Sequence, residues 1–248
     1  YSKKDLKELF SKIKEEKKLK KFFKKAPERR LTWNGCSPNE KQCINYKGLF
    51  VNEYNINNGI IFIKENNHLL EKASKKFGVP KEIITAIIGI ETRYGKNLGT
   101  FKTFDTLASL SVGPNKGRRA KFYRTELENF LLLCRENSLD PNLIKGSYAG
   151  ALGKPQFISS SYRNYAIDFD GDNSADLWNS NADVIGSVAN YLKRNGWQRG
   201  GLILTDLEIN HNENKLKKIS KKTYKPHTTY KKFKNMNIKT HIRLNDNE

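Results

Sequence analysis

Apolar residues recur at intervals of three and four through most of the chain, and this pattern predicts a mainly α-helical protein. The clearest stretch is residues 79 to 95, where Ile84, Ile87, Ile88 and Glu91 share one such spacing. Pro80 suits a first helical turn and Gly95 suits a stop. The spacing therefore predicts one helix on which Glu91 lies on the face of the isoleucines and points toward the core.

A glutamate in such a position has a distinctive chemistry. A carboxylate in apolar surroundings loses hydration, so its pKa rises toward the range in which it holds a proton near neutral pH and can donate it. Glu91 is therefore a candidate general acid. The alternative is that Glu91 lies at the edge of the apolar stripe and pairs with Arg93 or another basic neighbour.

The same periodicity predicts further helices. Asp105 is typical of a helix N-cap, and residues 202 to 204 predict a brief strand. Residues 31 to 50 are expected to be irregular, and residues 146 to 162 are too rich in glycine and small residues for an ordinary helix. The predicted helices cover residues 3 to 25, with a possible break near Glu16, 55 to 77 with a stop at Gly78, 118 to 137 with Phe122, Leu127, Phe130, Leu131 and Cys134 on the core face, and 182 to 196.

The chain carries a formal net charge of +20 and a sequence pI near 9.7. This charge favours polyanionic partners, which include nucleic acid, anionic lipid headgroups and a carboxylate-bearing wall polymer, although much of it could be solvated surface. No nucleic-acid-binding module is recognisable, so we expect no nucleic-acid partner. The basic amphipathic stretch at residues 3 to 25 could lie on a membrane surface, but we favour packing on its own domain. No apolar run is long enough to span a membrane.

The cysteines do not form a metal site or a disulfide scaffold. Cys36 and Cys43 could close a small ring in an oxidising compartment, whereas Cys134 follows three leucines and is expected to be a buried thiol. The histidines and cysteines lack zinc-site spacing.

An acidic loop predicts a calcium site. Residues 168 to 176 place aspartates at alternate positions, and hard oxygen ligands in a tight loop suit Ca²⁺. The loop departs from the usual pattern because glycine stands at the fourth position and Asn179 at the twelfth; Asp183 could supply the missing ligand. The alternative is an acidic turn that caps the next helix and binds no metal.

Several motifs in fixed order resemble the B-type lytic murein transglycosylases of Gram-negative bacteria, over about residues 45 to 200. The chain departs from the family at Pro155, where glycine is usual, and at Ser159, where proline is usual, and we find no counterpart of the family's final cleft segment after Gly200. The motifs are Tyr-Lys-Gly-Leu-Phe at 46–50, Ile-Glu-Thr-Arg-Tyr-Gly at 90–95, Asp-Thr-Leu-Ala at 105–108, Arg-Arg-Ala at 118–120, Gly-Ser-Tyr-Ala-Gly-Ala-Leu-Gly at 146–153, Gln-Phe at 156–157 and Gly-Ser-Val-Ala-Asn-Tyr at 186–191.

The resemblance implies a mainly α, lysozyme-like catalytic core with an EF-hand-like calcium loop and small irregular or β additions. It implies cleavage of the β-1,4 bond between N-acetylmuramic acid and N-acetylglucosamine in peptidoglycan, with a 1,6-anhydromuramic acid product. Glu91 would act first as the acid and then as the base. The resemblance also implies a periplasmic protein, seen here in mature form, whose expected partners are first the glycan strands and second other wall enzymes.

The resemblance assigns further roles to named residues. Ser147 and Gln156 match polar contacts to the sugar, with Phe157 beside them, although each residue type also has ordinary structural uses. The remaining assignments are Tyr46 and Tyr191 as aromatic lining, Arg118 and Arg119 as guanidinium contacts to lactyl or peptide carboxylates, and Asp168, Asp170, Asp172, Asp183 and the Ser174 carbonyl as a structural calcium site.

Two other functions remain open. A muramidase that uses water needs a second carboxylate, for which Asp105 is the nearest candidate, and a non-catalytic wall-binding protein needs none. We expect three regions: a basic helical segment and connection at 1–45, the catalytic core at 46–200 and a basic tail at 201–248.

Overall fold

The structure is a computed structural model, and it describes residues 1–16, 19, 31–32, 44–112, 117–204, 207–209, 214, 216, 219 and 228–240. The chain divides into two compact units, Tyr1–Arg199 and Gly200–Glu248. The three-region division expected from the sequence stays a prediction. Trp33, Cys36 and Cys43 lie outside the described residues, and so does the expected ring between the two cysteines.

The first unit is mainly helical, as the periodicity predicts. Its short strands pair as β1 with β2 in parallel and β3 with β4 antiparallel. In chain order the elements are α1 (Lys3–Ser11), β1 (Leu31–Thr32), β2 (Ile44–Asn45), α2 (Tyr46–Phe50), α3 (Glu53–Glu65), α4 (Asn67–Phe77), α5 (Lys81–Thr92), β3 (Phe101–Lys102), α6 (Thr103–Val112), α7 (Arg118–Glu136), β4 (Lys145–Gly146), α8 (Ser159–Tyr165) and α9 (Asn181–Arg194).

Helix α5 lies at the centre of this unit and packs against α3, α4 and α9. Ile84 and Ile88 are fully buried, as their spacing predicts. The helix ends at Thr92, before the glycine that the sequence suggested as a stop. The reason is local, because Arg93 and Tyr94 both adopt left-handed backbone angles, with φ of 52° and 61°.

The predicted helix at residues 55 to 77 is two helices. The chain breaks at Asn66, which is 6 % exposed and donates from Nδ2 to the carbonyl of Phe62. Its Oδ1 accepts a bond from Nδ2 of Asn181, at the start of α9. A residue far away in the sequence therefore stabilises the break between α3 and α4. Helix α4 stops at Gly78, as predicted, where φ is 75°.

The N-terminal segment packs on its own unit, as we favoured. Helix α1 ends at Ser11 and residues 13 to 16 are not helical, close to the break that the sequence allowed near Glu16. Residues 20 to 25 of the predicted helix lie outside the described residues. Leu9 and Ile13 pack against the core, and the ring of Phe10 lies 5.3 Å from that of Phe104 in an edge-on contact. Leu19 is 2 % exposed, whereas Phe10 is 43 % exposed, so this packing takes up part of the apolar stripe, and Phe22 and Phe23 lie outside the described residues.

Asp105 does not cap a helix. It lies inside the first turn of α6, is 6 % exposed, and its Oδ1 accepts the backbone N–H of Lys14. The cap prediction is wrong because the helix begins earlier, at Thr103, and the carboxylate instead binds the N-terminal segment.

Helix α7 matches its predicted range closely, but one core assignment is wrong. Leu127, Phe130 and Cys134 are buried, and Cys134 is a free thiol as expected. Phe122 is 43 % exposed, while its neighbour Tyr123 is buried. At the start of α7, the side chain that faces the core is therefore that of Tyr123, one residue after the predicted Phe122.

Two regions expected to lack helix contain short ones. Helix α2 lies within residues 31 to 50, where Asn45 caps it by accepting the N–H of Gly48. Helix α8 begins at Ser159, inside the region 146 to 162, because the buried Glu126 of α7 accepts both the N–H and the hydroxyl of Ser160, at 2.9 and 2.7 Å. The first turn of α8 is thus capped by another helix rather than by its own sequence.

In the second unit, β5 (Glu208–Ile209) pairs antiparallel with β6 (Ile238–Lys239), and α10 (Tyr230–Lys234) precedes β6. The predicted strand at residues 202 to 204 is wrong, because these residues form no strand and Leu204 is 83 % exposed. Within the described part of the whole chain, every helix is too short or too polar to cross a lipid bilayer.

Candidate active site

Glu91 lies in the last turn of α5, and its side chain is exposed rather than directed into the core. The predicted orientation of Glu91 is therefore wrong. The spacing does place Glu91 near the isoleucine face, but the helix ends at the next residue, so the last turn does not carry this side chain into the core. Surrounding protein still removes water from the carboxyl group, and this desolvation raises the pKa of Glu91. No charge contributes to that shift, which argues against the ion pair with Arg93. The negative end of the helix dipole also favours the protonated form.

A concave apolar surface lies between α2, α3 and α5. This groove has a volume of ≈ 400 Å³, and its lining includes Ile90 and Tyr94, on either side of Glu91 in the chain, but not Glu91 itself. Phe50 also lines the groove, and the ring of Tyr46 packs edge-on against that of Phe50 with centroids 5.1 Å apart. Tyr46 is thus close to this groove, as an aromatic lining residue would be.

The turn after Glu91 is fixed by Tyr94. Its ring stacks on Phe62 of α3 at 5.1 Å. Its hydroxyl lies between two helices that carry glycines at the contact: a Cβ would come within 2.9 Å of Oη at Gly59 and within 2.5 Å at Gly89. Only residues without side chains leave room for this oxygen, so Tyr94 determines how α3 and α5 approach each other.

The glycine-rich loop after β4 is attached to the end of α5. Thr92 donates from Oγ1 to the carbonyl of Lys154 at 2.7 Å, and the same oxygen accepts the N–H of Gly95. Phe101 pairs with Gly146 in the short antiparallel ladder. These bonds hold residues 146 to 157 next to the helix end that carries Glu91.

Ser147 and Gln156 lie in this loop and offer complementary groups. Ser147 Oγ accepts the N–H groups of Ala149 and Ala151 at 3.3 and 3.0 Å, so its hydroxyl proton is the part left for a ligand. Gln156 donates from Nε2 to Gly153 and Leu98 carbonyls at 3.0 and 3.5 Å, which leaves Oε1 as an acceptor. The loop therefore presents one donor and one acceptor.

The aromatic residues behind this loop are not equivalent. Tyr191 is 36 % exposed, and its ring contacts Phe157 at 5.5 Å and Tyr165 at 4.9 Å. Phe157 is only 7 % exposed. The expectation that Phe157 contacts substrate directly is therefore not supported by its position; it lies where it can hold the ring of Tyr191.

Arg118 and Arg119 occupy the first two positions of α7 and are exposed. The planar guanidinium fork matches the geometry of a carboxylate. Their proposed contact with a substrate stays a prediction, because the described contacts place them on an element separate from the loop at 146–157.

The acidic loop forms a compact cluster. Asp168, Asp170 and Asp172 each offer a carboxylate oxygen, and these atoms lie within 4.8 Å of one another. The N–H groups of Gly171 and Asn173 bind Asp168 and lower its pKa, so it stays ionised. An all-oxygen, anionic set of this kind fits a hard cation such as Ca²⁺.

Asp183 does not join this cluster, in contrast to the expectation. It is fully buried, and its two oxygens accept the N–H groups of Phe169 and Asp176 at 2.7 and 2.8 Å. Both carboxylate oxygens are thus used to close the two ends of the loop. Ser174 is exposed and donates its N–H to Asp172, so a role for its carbonyl stays a prediction.

Asp105 is poorly placed for the second carboxylate of a water-using muramidase. Its side chain is buried, and Oδ1 already accepts the N–H of Lys14. The structure therefore gives no support to Asp105 as a base in an open cleft.

Sequence reasoning missed the residues that hold the site together. One such contact joins Thr92 to Lys154, 62 positions away, and another joins Glu126 to Ser160, 34 positions away. Local periodicity contains no signal for such contacts. The glycines at 59 and 89 could have been suspected, because glycine inside a helix usually marks a close approach.

Comparison with known proteins decides the family. The family described as "Transglycosylase SLT domain" matches residues 1–247. The chain belongs to this transglycosylase SLT domain family. The match extends beyond residues 45 to 200 at both ends and includes the residues after Gly200. The missing counterpart of the family's final cleft segment stays a prediction.

Individual SLT-domain proteins are similar over different lengths. The chain is 46 % identical over 157 residues to the membrane-bound lytic murein transglycosylase B of Escherichia coli K12, a match that covers 63 % of this chain and 43 % of that protein. The crystal structure of the soluble lytic transglycosylase SltB1 from Pseudomonas aeruginosa superimposes with a TM-score of 0.82 and 34 % identity, covering 100 % of this chain and 78 % of that one.

A third relative is the Escherichia coli lytic transglycosylase Slt35 in complex with calcium, with a TM-score of 0.78, 31 % identity, and coverage of 100 % and 73 %. These superpositions confirm the mainly helical, lysozyme-like transglycosylase fold. The chain matches less than half the length of the curated relative.

Proposed function

We propose that this SLT-domain protein is a peptidoglycan lytic transglycosylase. It would cleave the β-1,4 bond between N-acetylmuramic acid and N-acetylglucosamine and leave a 1,6-anhydromuramic acid end. The relatives carry the name of this activity. The observation that carries the proposal within this chain is the exposed carboxyl of Glu91, whose pKa is raised by desolvation at the end of α5.

The chemistry needs one carboxyl group that changes roles. Protonated Glu91 donates its proton to the glycosidic oxygen, so the bond to the muramic C1 breaks and the leaving sugar departs as an alcohol. The resulting carboxylate then takes the proton of the C6 hydroxyl as that oxygen bonds to C1. A raised pKa supports the first step, and the exposure of Glu91 allows a polymer to reach it.

The loop at 146–157 would orient the sugar. Ser147 can donate its hydroxyl proton to a substrate oxygen, and Gln156 Oε1 can accept from an amide or hydroxyl. Tyr191 presents a partly exposed ring that suits the apolar face of a sugar. Tyr46 would line the cleft beside Phe50.

Arg118 and Arg119 would bind lactyl or peptide carboxylates of the substrate. Their support is their exposure and the planar guanidinium fork, which matches a carboxylate. The overall charge of +20 draws an anionic wall polymer to the protein in the same way.

Mass spectrometry of digested murein tests the proposal. Wild type should release muropeptides with anhydro ends, and Glu91→Gln should release none while still pelleting with sacculi. Glu128→Gln, at an exposed glutamate of α7, is the matched control and should keep its activity. Reducing muramic ends would instead indicate a hydrolase, and wall binding by wild type without product release would indicate a non-catalytic binding protein.

Calcium would stabilise the acidic loop rather than take part in the reaction. Asp168, Asp170 and Asp172 would hold the ion, with the Ser174 carbonyl as a further ligand; the calcium complex of Slt35 is consistent with this. Ca²⁺ would neutralise their mutual repulsion. A chelator should lower the melting temperature of wild type but not of the Asp168→Ala, Asp172→Ala double variant, and equal responses in both would reject the site.

A periplasmic location follows from a murein substrate and is part of the proposal. The curated relative is named as membrane-bound. Fractionation of cells that express the full gene should place the protein with periplasmic and envelope markers, and recovery with cytosolic markers would contradict this. Partner wall enzymes would be sought by crosslinking in the same fractions.

A further inference from the structure

Lys154 makes an unusual set of contacts for a lysine. It lies in the loop between Ser147 and Gln156 and is half-buried. Its carbonyl accepts the hydroxyl of Thr92 at 2.7 Å, and its N–H donates to the carbonyl of Leu177 at 2.8 Å. The main chain of Lys154 therefore bridges the end of α5 and the segment that follows the acidic loop.

The side chain of Lys154 bridges the same two regions. Its methylene stem runs over Gly95, where a Cβ would meet Cε at 2.9 Å and both Cδ and Cγ at 3.2 Å. Its ammonium donates to Oδ1 of Asn181 at 2.6 Å. The absent side chain and the φ of 88° at Gly95 are what allow this close packing.

The far end of the bridge is itself anchored. Asn181 donates from Nδ2 to Oδ1 of the buried Asn66, which separates α3 from α4. Its neighbour Ser180 donates from Oγ to Oδ2 of Asp170, in the acidic loop. Burial lowers the pKa of Lys154, whereas Asp176 raises it, so the ammonium is partly desolvated. Its short bond is to Oδ1 of Asn181, and the carbonyl of Asn179 is a second, more distant acceptor at 3.5 Å.

We propose that Lys154 is a positioning residue that holds the Glu91 end of α5 against the first turn of α9. This rests on the proposed function, because it assigns Lys154 to the same acid. Thr92 and Gly95 flank the left-handed turn that ends α5 and both contact Lys154, so loss of the anchor at Asn181 loosens the residue on which both sides of that turn rest. Glu91 then samples orientations in which its carboxyl no longer meets the glycosidic oxygen.

Lys154→Met tests the ammonium alone, because methionine keeps an unbranched stem over Gly95. Asn181→Ala removes the partner, and the double variant completes a cycle. Lys121→Met, at an exposed lysine of α7, is the matched control. The first measurement is hydrogen–deuterium exchange of amides 92 to 97, and the second is kcat and KM on a soluble glycan fragment.

Each single variant should speed exchange at these amides about tenfold and lower kcat about tenfold with KM changed less than about twofold, since small misplacement of a catalytic group has effects of this order. The double variant should be no worse than Asn181→Ala alone, which also loses the bond to Asn66. Unchanged exchange in Lys154→Met, or fully additive losses in the double variant, would overturn the inference. The exchange measurement needs no turnover, so it remains decisive even if wild type forms no anhydro product.

Discussion

The contact between Tyr94 and two helical glycines predicts that one substitution, Gly59→Ala, changes the free energy of unfolding in opposite directions in wild type and in Tyr94→Phe. The perturbation is Gly59→Ala, in the buried interior of α3. The added Cβ would lie 2.9 Å from Tyr94 Oη, while the next atoms, Tyr94 Cζ and Thr85 Cγ2, lie at 3.8 and 4.0 Å. The clash therefore involves one oxygen atom, and Tyr94→Phe removes that atom.

The magnitude follows from two opposing terms. Replacing glycine by alanine inside a helix stabilises by about 1 kcal/mol. Forcing an atom into a well-packed contact costs about 1–3 kcal/mol, and the Tyr94 ring cannot easily withdraw because it stacks on Phe62. We expect Gly59→Ala to be neutral or destabilising by up to about 2 kcal/mol in wild type, and stabilising by about 1 kcal/mol in Tyr94→Phe.

Urea denaturation of wild type, both single variants and the double variant gives the coupling free energy directly. Gly89→Ala is the control, because its Cβ would also lie 2.7 Å from Cζ, which Tyr94→Phe does not remove. Gly89→Ala should therefore be destabilising in both backgrounds. If Gly59→Ala changed the free energy of unfolding equally in both, the steric account of this contact would be refuted.

Three further outcomes follow from the structure. Glu126→Ala should lower the free energy of unfolding by about 2–3 kcal/mol, because it leaves the N–H and hydroxyl of Ser160 without their acceptor, and a denaturation loss below about 0.5 kcal/mol would contradict this. Ser159→Ala should be neutral or stabilising by up to about 1 kcal/mol in the same assay, since its buried Oγ has no hydrogen-bond partner; a clear loss would count against it. The third outcome concerns pH. A raised pKa means that native Glu91 holds its proton more tightly than the unfolded chain does. The contribution of Glu91 to the free energy of unfolding is therefore fully present below the ordinary glutamate pKa and is lost as pH rises through the raised value. The melting temperature of Glu91→Gln should therefore exceed that of wild type by more near neutral pH than near pH ~4, and an equal difference at both would contradict the shift.

Local signals predicted most of the helices but not how they end. The isoleucine spacing located α5, and Gly78 ended α4 as expected, because both depend on neighbouring residues. The break at Asn66 could not be predicted, since its amide is held by Asn181 from 115 positions away. The direction of Glu91 failed for a related reason, because two left-handed residues end the helix one residue after it.

The candidate site was predicted as a set of residues rather than as a geometry. The motif order correctly indicated the family, but it could not show that Phe157 lies behind Tyr191 or that Asp183 closes the loop instead of joining the acidic cluster. Both outcomes depend on burial, which the period of a pattern does not specify for single polar or aromatic residues in loops.

The paired left-handed conformations at Arg93 and Tyr94 have an evolutionary consequence. Each costs an ordinary L-residue about 1 kcal/mol that glycine would not incur. Laboratory selection for heat resistance alone should therefore recover glycine or asparagine at Arg93 early. In such variants the turn after Glu91 would be more flexible. Any change in their transglycosylase rate would then measure how far the proposed role of Glu91 depends on a rigid turn.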